Sequence, residues 1–377
     1  MIKTIVFGFD SYNSAGSVRC LGEANIRTTV IIVSSRKRPT VSRSKYIGQF
    51  FQVSDIVSGI KILKKIGSYD EKQYLFATSD KVATALDNEY DELKDFYIFP
   101  NCGKQGALTE MMNKATMCMF AKECGITVPL SIPYKVGDPI PDTVLYPCLV
   151  KPLKSISGSK QDIKHFNTKE ELENHFKQNR HTKEYLIQQF IKKDYEVLII
   201  GCRTESGKTI IPAYLHKSRN LGEGDDGSNG YITIGLPPKT EHSIIADFLE
   251  RINYVGPFSI EMGVECGCPY FFEINLRNDG TINYFTKIGV NIPLMWITDN
   301  CEIDQSKPSM AYYTDEFGDF INVLSGKISI SQWYKDLKKS TVHKYYDTYD
   351  KGPFRGFAPM QIRIIISSIL RKITGRL

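Results

Sequence analysis

Short apolar runs rich in β-branched residues alternate with helical periodicity through the first hundred residues. Strands that read as continuous apolar runs are typical of parallel sheets covered on both faces, and right-handed crossovers place helices on each side. We therefore expect a Rossmann-like open sheet at the N-terminus. Its predicted strands are Ile2 to Phe9, Thr28 to Val33, Phe50 to Val53, Tyr74 to Ala77 and Phe96 to Phe99.

Two common phosphate-binding motifs are missing from this pattern. The turn after the first strand, GFDSYNSAGSVRCLG, lacks the GxGxxG pattern of dinucleotide sites, so NAD is not expected. The GKT of GCRTESGKT has one residue too many between Gly201 and Gly207 for a Walker loop. It also lies between two strand candidates, so we predict a hairpin turn there.

The pattern becomes α+β after residue 108. A helix is predicted from about Leu108 to Gly125, and a strand from Leu145 to Pro152. Thr168 and Glu171 have the spacing of a capping box, which predicts another helix start. The runs YLIQQFI, YEVLIIGCR and TIIPAYL then predict antiparallel strands joined by tight turns.

Composition narrows the class of protein. The chain has 377 residues, of which 42% are hydrophobic and 24% charged, as in globular proteins of two or three domains. Nine cysteines without a CxxC motif predict reduced thiols and a cytoplasmic location. No signal peptide or membrane-spanning run is expected. A net charge of +6 gives no case for nucleic acid and favours a small anionic ligand.

Acidic and amide side chains recur in FSIEMGVECGCPYFFEINLRNDG. Glu261 and Glu273 lie on two adjacent strand candidates, and Asn275 shares the face of Glu273 because side chains alternate along a strand. Mg²⁺ prefers such oxygen ligands together with substrate phosphates. Arg277 falls on the same face and could balance phosphate charge. A solvated sheet face explains the two carboxylates equally well when they are considered alone.

Two lysines point to an anionic ligand. Lys151 ends an apolar strand just before the small-residue loop 155–160, whose backbone amides could close over phosphate oxygens. Lys114 begins a helix, where the helix dipole disfavours a cation. Ordinary surface lysines are the alternative in both places.

The order of these motifs resembles that of the ATP-grasp superfamily, specifically D-aspartate ligase-like carboxylate–amine ligases. The resemblance covers about residues 1 to 300 and includes GSVRCLGEANI and SRSKYIGQFF in the first domain. It implies four units: a Rossmann-like pre-ATP-grasp domain at 1–108, a small lobe at 109–187, a metal and phosphate lobe at 188–300, and a C-terminal helical extension with a basic tail at 301–377.

The resemblance also implies roles for individual residues. ATP would lie between the two lobes, with Mg²⁺, for which Mn²⁺ can substitute. The metal ligands would be Glu261, Glu273 and Asn275. Nucleotide contacts would come from Lys114, Lys151, the loop residues Ser157, Gly158 and Ser159, the backbone of Gln189 and Ile191, and Glu196 at the ribose. Catalytic groups would be Arg277, Lys217 and Arg219, beside His216 and a lid at residues 222–230.

The implied reaction converts a carboxylate to an acyl phosphate, which an amine then attacks to form an amide. An amino acid or a cell-envelope precursor is the expected substrate. Two alternatives remain open: a kinase that leaves the phosphoryl group on a small molecule, and a synapsin-like protein that binds ATP and associates with membranes.

The C-terminal sequence FAPMQIRIIISSILRKITGRL predicts an amphipathic helix. An apolar stripe lies opposite basic residues at helical spacing. We favour packing on the protein's own core or on a partner subunit in a homo-oligomer. Peripheral membrane contact through residues 360–377 is the alternative. The stripe consists of Ile362, Ile365, Ile366, Ile369, Leu370 and Ile373, and the basic residues are Arg363, Arg371, Lys372 and Arg376.

Overall fold

The computed structural model describes residues 2–152, 163–178, 184–221 and 227–373. Within these residues the strands form sheets of five, seven and four strands. The strands are β1 (Thr4–Phe9), β2 (Thr28–Val33), β3 (Ile47–Val53), β4 (Gln73–Ala77), β5 (Tyr97–Ile98), β6 (Ser131–Lys135), β7 (Cys148–Pro152), β8 (Lys164–Phe166), β9 (Glu184–Gln189), β10 (Tyr195–Arg203), β11 (Thr209–Asn220), β12 (Gly227–Ile234), β13 (Gly256–Glu265), β14 (Cys268–Asn275), β15 (Met310–Thr314) and β16 (Val342–His343).

Helices flank each sheet, and 3-10 turns occupy Val41–Arg43 and Ile282–Ile288. The α-helices are α1 (Tyr12–Glu23), α2 (Ile56–Ile66), α3 (Asp80–Asn88), α4 (Tyr90–Leu93), α5 (Ala107–Met111), α6 (Lys114–Glu123), α7 (Lys169–Gln178), α8 (His242–Arg251), α9 (Ile292–Thr298), α10 (Gly318–Leu324), α11 (Ile330–Lys339) and α12 (Lys351–Ile373).

The N-terminal sheet confirms the predicted parallel architecture. Its order is β3-β2-β1-β4-β5, and every pairing is parallel. Ile5, Val6 and Phe7 are all fully buried, because helices cover both faces of the sheet. The chain reverses its direction of winding between β1 and β4. The carboxyl ends of these two strands form the topological switch point, where ligands bind in open α/β sheets.

The helix predicted over Leu108 to Gly125 is divided into α5 and α6. Asn113 lies between them, and its side-chain oxygen accepts hydrogen bonds from the amides of Ala115 and Thr116 at 2.9 and 3.3 Å. This N-cap starts a new helix, because it satisfies amides that a continuous helix would have bonded internally. Lys114 is therefore the first residue of α6, as the sequence suggested.

The small antiparallel sheet, ordered β6-β9-β7-β8, has its own hydrophobic core. The predicted capping box before α7 is confirmed, since the Thr168 hydroxyl accepts from the Glu171 amide at 3.2 Å. The Glu171 carboxylate in turn accepts from the amide of Asn167 at 2.7 Å. This sheet is the small lobe that carries Lys151 on β7.

The large sheet has the order β14-β13-β10-β11-β12-β15-β16. Arg203 pairs with Thr209 across a β10–β11 hairpin, which confirms that the GKT segment is a turn. Both main cores combine residues of the N-terminal sheet with residues of the large sheet. The predicted domain at 1–108 is thus packed directly against the large lobe.

The C-terminal region differs from the helical extension expected at 301–377. β15 pairs with β12, and β16 pairs with β15, so this region completes the large sheet. Residues 227–230 of the predicted lid also belong to the sheet, as the start of β12. Glycine and serine fit there because β12 lies close to β11: a Cβ at Gly230 would come within 2.0 Å of the His216 carbonyl oxygen. The rest of the lid, 222–226, lies outside the described residues.

The C-terminal helix packs on the core only at its beginning, and the favoured packing of the remainder on the core or on a partner subunit stays a prediction. Phe357 is buried, but Ile362, Ile364, Ile366 and Leu370 are 46–55% exposed. No helix in the part of the chain that the structure describes is long and apolar enough to cross a membrane. All nine cysteines lie in described residues and form no disulfide bond there.

Candidate active site

Glu261 and Glu273 face each other across β13 and β14. Their backbones are in direct antiparallel register, and Ser259 and Asn275 form the next pair on the same face. The two glutamate side chains are 22% and 27% exposed, so they line a surface that solvent reaches. The predicted proximity of these groups is confirmed, and their role as metal ligands stays a prediction.

Three further charged groups complete what we call the central cluster: Lys114, Glu196, Lys217, Glu261 and Glu273. The Lys114 Nζ is 3.5 Å from the Glu273 Oε2, and the Lys217 Nζ is 3.6 Å from the Glu261 Oε2. Lys217 also donates to the Glu196 Oε2 at 2.9 Å.

Lys217 lies in the cluster because of the β10–β11 register, which sets it opposite Glu196. Burial works against its charged form, but the charges of Glu261 and Glu196 outweigh burial and raise the pKa of Lys217. Lys217 is therefore a cation at neutral pH, held between the carboxylates of Glu196 on β10 and Glu261 on β13.

Arg277 lies two residues beyond the end of β14. Its Nε donates to the Asp80 Oδ1 at 2.6 Å, and its Nη2 donates to the Asn275 Oδ1 at 3.0 Å. Burial opposes the charged guanidinium, but Asp80 and Asp279 raise the pKa of Arg277. Asp80 begins α3, so Arg277 connects the acidic face of the large sheet to the N-terminal domain.

The loop after Arg277 brings the site to the switch point of the N-terminal sheet. The amide of Asn278 donates to the carbonyl of Ala77, the last residue of β4, at 3.2 Å. The Asn278 side chain donates to the hydroxyl of Ser17 on α1. The carboxyl ends of β1 and β4 therefore lie beside the loop that follows Arg277.

The donor set suits a hard divalent cation. No group of three or more His, Cys, Asp or Glu side chains arranged to hold a metal occurs among the described residues. The candidate set instead has two carboxylates and one amide oxygen. Asn275 donates through Nδ2 to the Ser259 hydroxyl at 3.2 Å, which turns its Oδ1 toward Arg277. Mg²⁺ is bound by few protein oxygens and keeps waters and phosphates as ligands, so this set fits it.

Lys151 extends from the small lobe toward the large sheet. Its Nζ donates to the Gln188 Oε1 at 2.7 Å and lies 5.6 Å from the centroid of the Phe272 ring. The Lys193 Nζ is also 5.6 Å from that ring. A β-bulge beside Glu261 shifts the register here, and Phe272 lies over Gly263, where a Cβ would come within 2.3 Å of the ring.

Sequence reasoning missed Gln188, Lys193 and Phe272. Lys193 forms an ion pair with Glu196, three residues later, and that spacing was the available signal. Phe272 directly precedes Glu273, but strand alternation assigns it to the opposite face. Only the bulge allows Phe272 and Glu273 to point toward the central cluster together.

The other predicted nucleotide contacts are at the junction of β9 and β10. The Gln189 amide donates to the Leu130 carbonyl at 2.8 Å, and the Ile191 carbonyl accepts from the Lys193 amide at 3.0 Å. Ile191 is buried. Ser157, Gly158 and Ser159 lie outside the described residues.

Arg219 and His216 are not part of the central cluster. Arg219 forms ion pairs with Asp319 and Asp336, both at 2.7 Å, so its guanidinium connects β11 to the C-terminal helices. His216 is stacked between the rings of Tyr195 and Tyr231, at 4.6 Å from each. Burial lowers the pKa of His216.

Comparison with known sequences gives two partial relatives, and no protein-family model matches the chain. A 163-residue stretch is 28% identical to the carbamoyl phosphate synthase large chain of Sulfolobus acidocaldarius, covering 40% of this chain and 15% of that protein. A 204-residue stretch is 25% identical to the formate-dependent phosphoribosylglycinamide formyltransferase of Wolinella succinogenes, covering half of each chain. The chain thus spans half or less of the length of these relatives.

Solved structures match over much more of the chain. The ADP complex of purK, N5-carboxyaminoimidazole ribonucleotide synthetase, has a TM-score of 0.64 at 13% identity, covering 87% of this chain and 86% of that one. The L-amino acid ligase from Bacillus licheniformis has a TM-score of 0.59 at 13% identity, covering 81% and 75%.

A biotin carboxylase domain of the Hydrogenobacter thermophilus 2-oxoglutarate carboxylase, solved with MgADP, has a TM-score of 0.62 at 13% identity, covering 83% and 74%. These likenesses single out no D-aspartate ligase-like subclass. They confirm the overall architecture expected from the sequence, a parallel N-terminal sheet followed by a two-lobed ATP-grasp fold.

Proposed function

We propose that the protein is an ATP- and Mg²⁺-dependent ligase that activates a carboxylate as an acyl phosphate and joins it to an amine. The observation that carries the proposal is the register of Glu261 against Glu273, with Lys217 and Lys114 each 3.5–3.6 Å away. Two carboxylates lie beside two cations on a surface that solvent reaches. Such a set is better suited to binding a triphosphate with its metal than to forming a purely structural salt bridge. The ATP-grasp fold supports the same conclusion.

The nucleotide would lie between the small lobe and the large sheet. Lys151 and Lys114 are the proposed phosphate contacts, because the Lys114 Nζ is 3.5 Å from Glu273 and the Lys151 Nζ is 5.6 Å from the ring of the preceding residue, Phe272. Phe272 offers an aromatic surface beside the ammonium groups of Lys151 and Lys193. We place the adenine on it, with the backbone of Gln189 and Ile191 as the proposed polar contacts. Glu196 is the proposed ribose contact.

Glu261, Glu273 and Asn275 would hold Mg²⁺. Bound there with the nucleotide, the ion would neutralise phosphate charge during phosphoryl transfer. Arg277 would keep the Asn275 oxygen oriented, since it already donates to that atom at 3.0 Å.

In the first step a substrate carboxylate oxygen attacks the γ-phosphorus of ATP and ADP leaves. The amine then attacks the acyl carbon, inorganic phosphate leaves, and the nitrogen loses a proton. Lys217 and Lys114 would stabilise the transferring phosphoryl charge. Arg277 would stabilise the oxyanion of the tetrahedral intermediate, because it lies between the acidic face of the large sheet and Asp80 of the N-terminal domain. Arg219 would act only by positioning β11.

The charged groups around Arg277 favour a substrate that carries both charges. Arg277 is flanked there by Asp80 and Asp279, so a carboxylate and an ammonium group could each find a partner. We therefore propose an amino acid as one substrate. A D-aspartate ligase-like specificity is the finer form of this proposal, which the sequence resemblance supports.

Incubation with ATP, Mg²⁺ and pooled L- and D-amino acids tests the proposal. We expect amino-acid-dependent phosphate release and, by mass spectrometry, a condensation product that has lost one water relative to its substrates. A phosphorylated product without condensation would identify a kinase instead. Nucleotide binding without turnover under all substrate combinations would contradict the ligase assignment.

A further inference from the structure

The hydroxyl of Tyr313 is a buried polar group without a partner. Tyr313 lies on β15 and is 1% exposed. Among the residues that the structure describes, no group forms a hydrogen bond with this hydroxyl. A buried donor that lacks an acceptor costs stability, and a phenylalanine would fill the same space without that cost. The hydroxyl therefore calls for a partner outside the described chain.

The register of the large sheet directs Tyr313 toward the central cluster. Glu196 on β10 pairs with Lys217 on β11. Gly230 on β12 pairs with Lys217 on one side and with Tyr313 on the other. Paired residues of neighbouring strands point to the same face, so these four positions form one row across the sheet. Gly230 brings no side chain to the row, and a Cβ there would come within 2.8 Å of the Tyr313 ring. The ring thus lies over β12, on the side of Lys217.

Gly227 brings the hydroxyl close to Lys217. A Cβ at Gly227 would come within 2.5 Å of the Tyr313 hydroxyl oxygen and within 2.9 Å of the Lys217 Cγ. One point beside β12 is therefore close to both side chains, and only glycine leaves it free. Gly227 itself is partly exposed. The hydroxyl thus lies next to backbone that solvent reaches.

The charges around Tyr313 favour an anionic partner. Burial raises the pKa of Tyr313, so the hydroxyl keeps its proton at neutral pH and can donate it in a hydrogen bond. The charges of Lys217 and Lys344 lower this pKa, and those of Asp315 and Glu196 raise it by less. The cations therefore dominate the local field. A donor beside cations suits an anionic oxygen, because the cations attract the anion and the hydroxyl directs it.

We propose that the Tyr313 hydroxyl donates a hydrogen bond to an anionic oxygen that binds beside Lys217. The identity of this anion rests on the proposed ligase function: its oxygen belongs to the reacting carboxylate or to the phosphoryl group that is transferred to it. The bound anion supplies the acceptor that the hydroxyl lacks, and the hydrogen bond orients the anion for the reaction. The competing occupant is a buried water molecule, which would leave anion binding independent of the hydroxyl.

Calorimetric titrations of inorganic phosphate and of acetate into the wild type and Tyr313→Phe test the proposal. Each anion is titrated with and without Mg²⁺ and ADP. Tyr313→Phe keeps the ring, and we expect it to weaken the binding of at least one anion about tenfold or more. A loss for phosphate alone would assign the hydroxyl to the phosphoryl oxygen, and a loss for acetate alone would assign it to the carboxylate. Equal affinities in the two proteins, or no binding of either anion to the wild type, would overturn the proposal.

Tyr97→Phe is the matched control, because Tyr97 is also buried but its hydroxyl donates to the Leu63 carbonyl at 2.8 Å. This variant should bind both anions as the wild type does, and its melting temperature should be lower. Tyr313→Phe should melt at the wild-type temperature or above it, because its hydroxyl has no partner to lose. A lower melting temperature with unchanged anion binding would give Tyr313 a purely structural role and overturn the proposal. Failure of the wild type to bind ADP would contradict the ligase function, and the titrations without nucleotide would still test Tyr313.

Discussion

Two clusters of ion pairs lie on the same large sheet, and their geometry differs. In the central cluster, Glu261 and Glu273 are partly exposed and stand 3.5–3.6 Å from lysine nitrogens. The second, which we call the C-terminal cluster, consists of Arg219, Asp319, Asp336, Ser228 and Asn322. There Arg219 binds Asp319 through two nitrogens at 2.7 and 2.8 Å, and Asp319 is fully buried.

The difference separates two carboxylates that can exchange partners, Glu261 and Glu273, from one that cannot, Asp319. Asp319 also accepts from the Ser228 hydroxyl at 2.8 Å and from the Asn322 amide at 3.1 Å, so its oxygens are saturated by fixed donors. A long, partly hydrated ion pair costs less to open for an incoming phosphate or metal. Lys217 and Arg219 are only two residues apart on β11, yet they belong to different clusters.

The largest expected effect comes from removing one charge of the central cluster. Glu273→Gln keeps the shape of the side chain but removes a proposed metal ligand. We expect ATP-dependent phosphate release to fall by about three orders of magnitude. The free energy of unfolding should change by less than about 1 kcal/mol, because the Glu273–Lys114 pair is long and partly exposed.

Phosphate release and denaturant unfolding of the same samples check this prediction. Glu302→Gln is the matched control, because it removes an exposed carboxylate outside both clusters. It should leave both quantities unchanged. A Glu273→Gln enzyme with full activity would remove the metal assignment, and one that is inactive only because it unfolds would place Glu273 in a structural role.

The reverse pattern is expected in the C-terminal cluster. Arg219→Met leaves the buried carboxylate of Asp319 without its cation, which should lower the free energy of unfolding by about 3 kcal/mol or more. Equilibrium binding of an ATP analogue to the folded variant, measured at low temperature, should change less than about threefold. Normal stability with lost activity would instead show that Arg219 acts at the reaction centre, as the sequence suggested.

The C-terminal region should also respond to pH through Glu316. Burial raises the pKa of Glu316 to about 7, although its carboxylate accepts from the amides of Lys344, Tyr345 and Tyr346. A raised pKa stabilises the fold below the unfolded-state value, and this stabilisation is lost as pH rises through about 7. The loss amounts to at most about 3 kcal/mol.

Urea titration from pH 4 to 8 gives the unfolding free energies of the wild type and of Glu316→Gln. The difference between them isolates the contribution of Glu316 to stability. Other titrating groups cancel in the difference. We expect the wild type to lose stability relative to the variant as pH rises. A difference that is flat across this range would show that the three amide bonds cancel the effect of burial.

The sequence predicts the central cluster better than the C-terminal one for a physical reason. Glu261 and Glu273 are joined by a short turn, so period-two alternation places them together. The Arg219–Asp319 pair joins residues a hundred positions apart, and no local pattern encodes that pairing. β15 and β16 are not predicted from the sequence either, because they are short and gain stability by adding to an existing sheet edge. The parallel N-terminal sheet could be predicted from the sequence, because burial on both faces requires continuous apolar runs.

The smallest expected effect concerns Phe272, which reaches the central cluster only through the β-bulge and the open space at Gly263. In Gly263→Ala the new methyl group would come within 2.3 Å of the Phe272 ring and 2.9 Å of the Lys193 side chain, so both must move. If Phe272 supports the adenine, the dissociation constant for ATP should rise about tenfold, about 1.4 kcal/mol.

Calorimetric titration of the single variants Gly263→Ala and Phe272→Leu and of the double variant forms a cycle. Non-additive losses are expected, because both changes disturb one contact. Strictly additive losses would show that Gly263 and Phe272 influence nucleotide binding separately, and the central cluster would then lack the aromatic surface proposed for it.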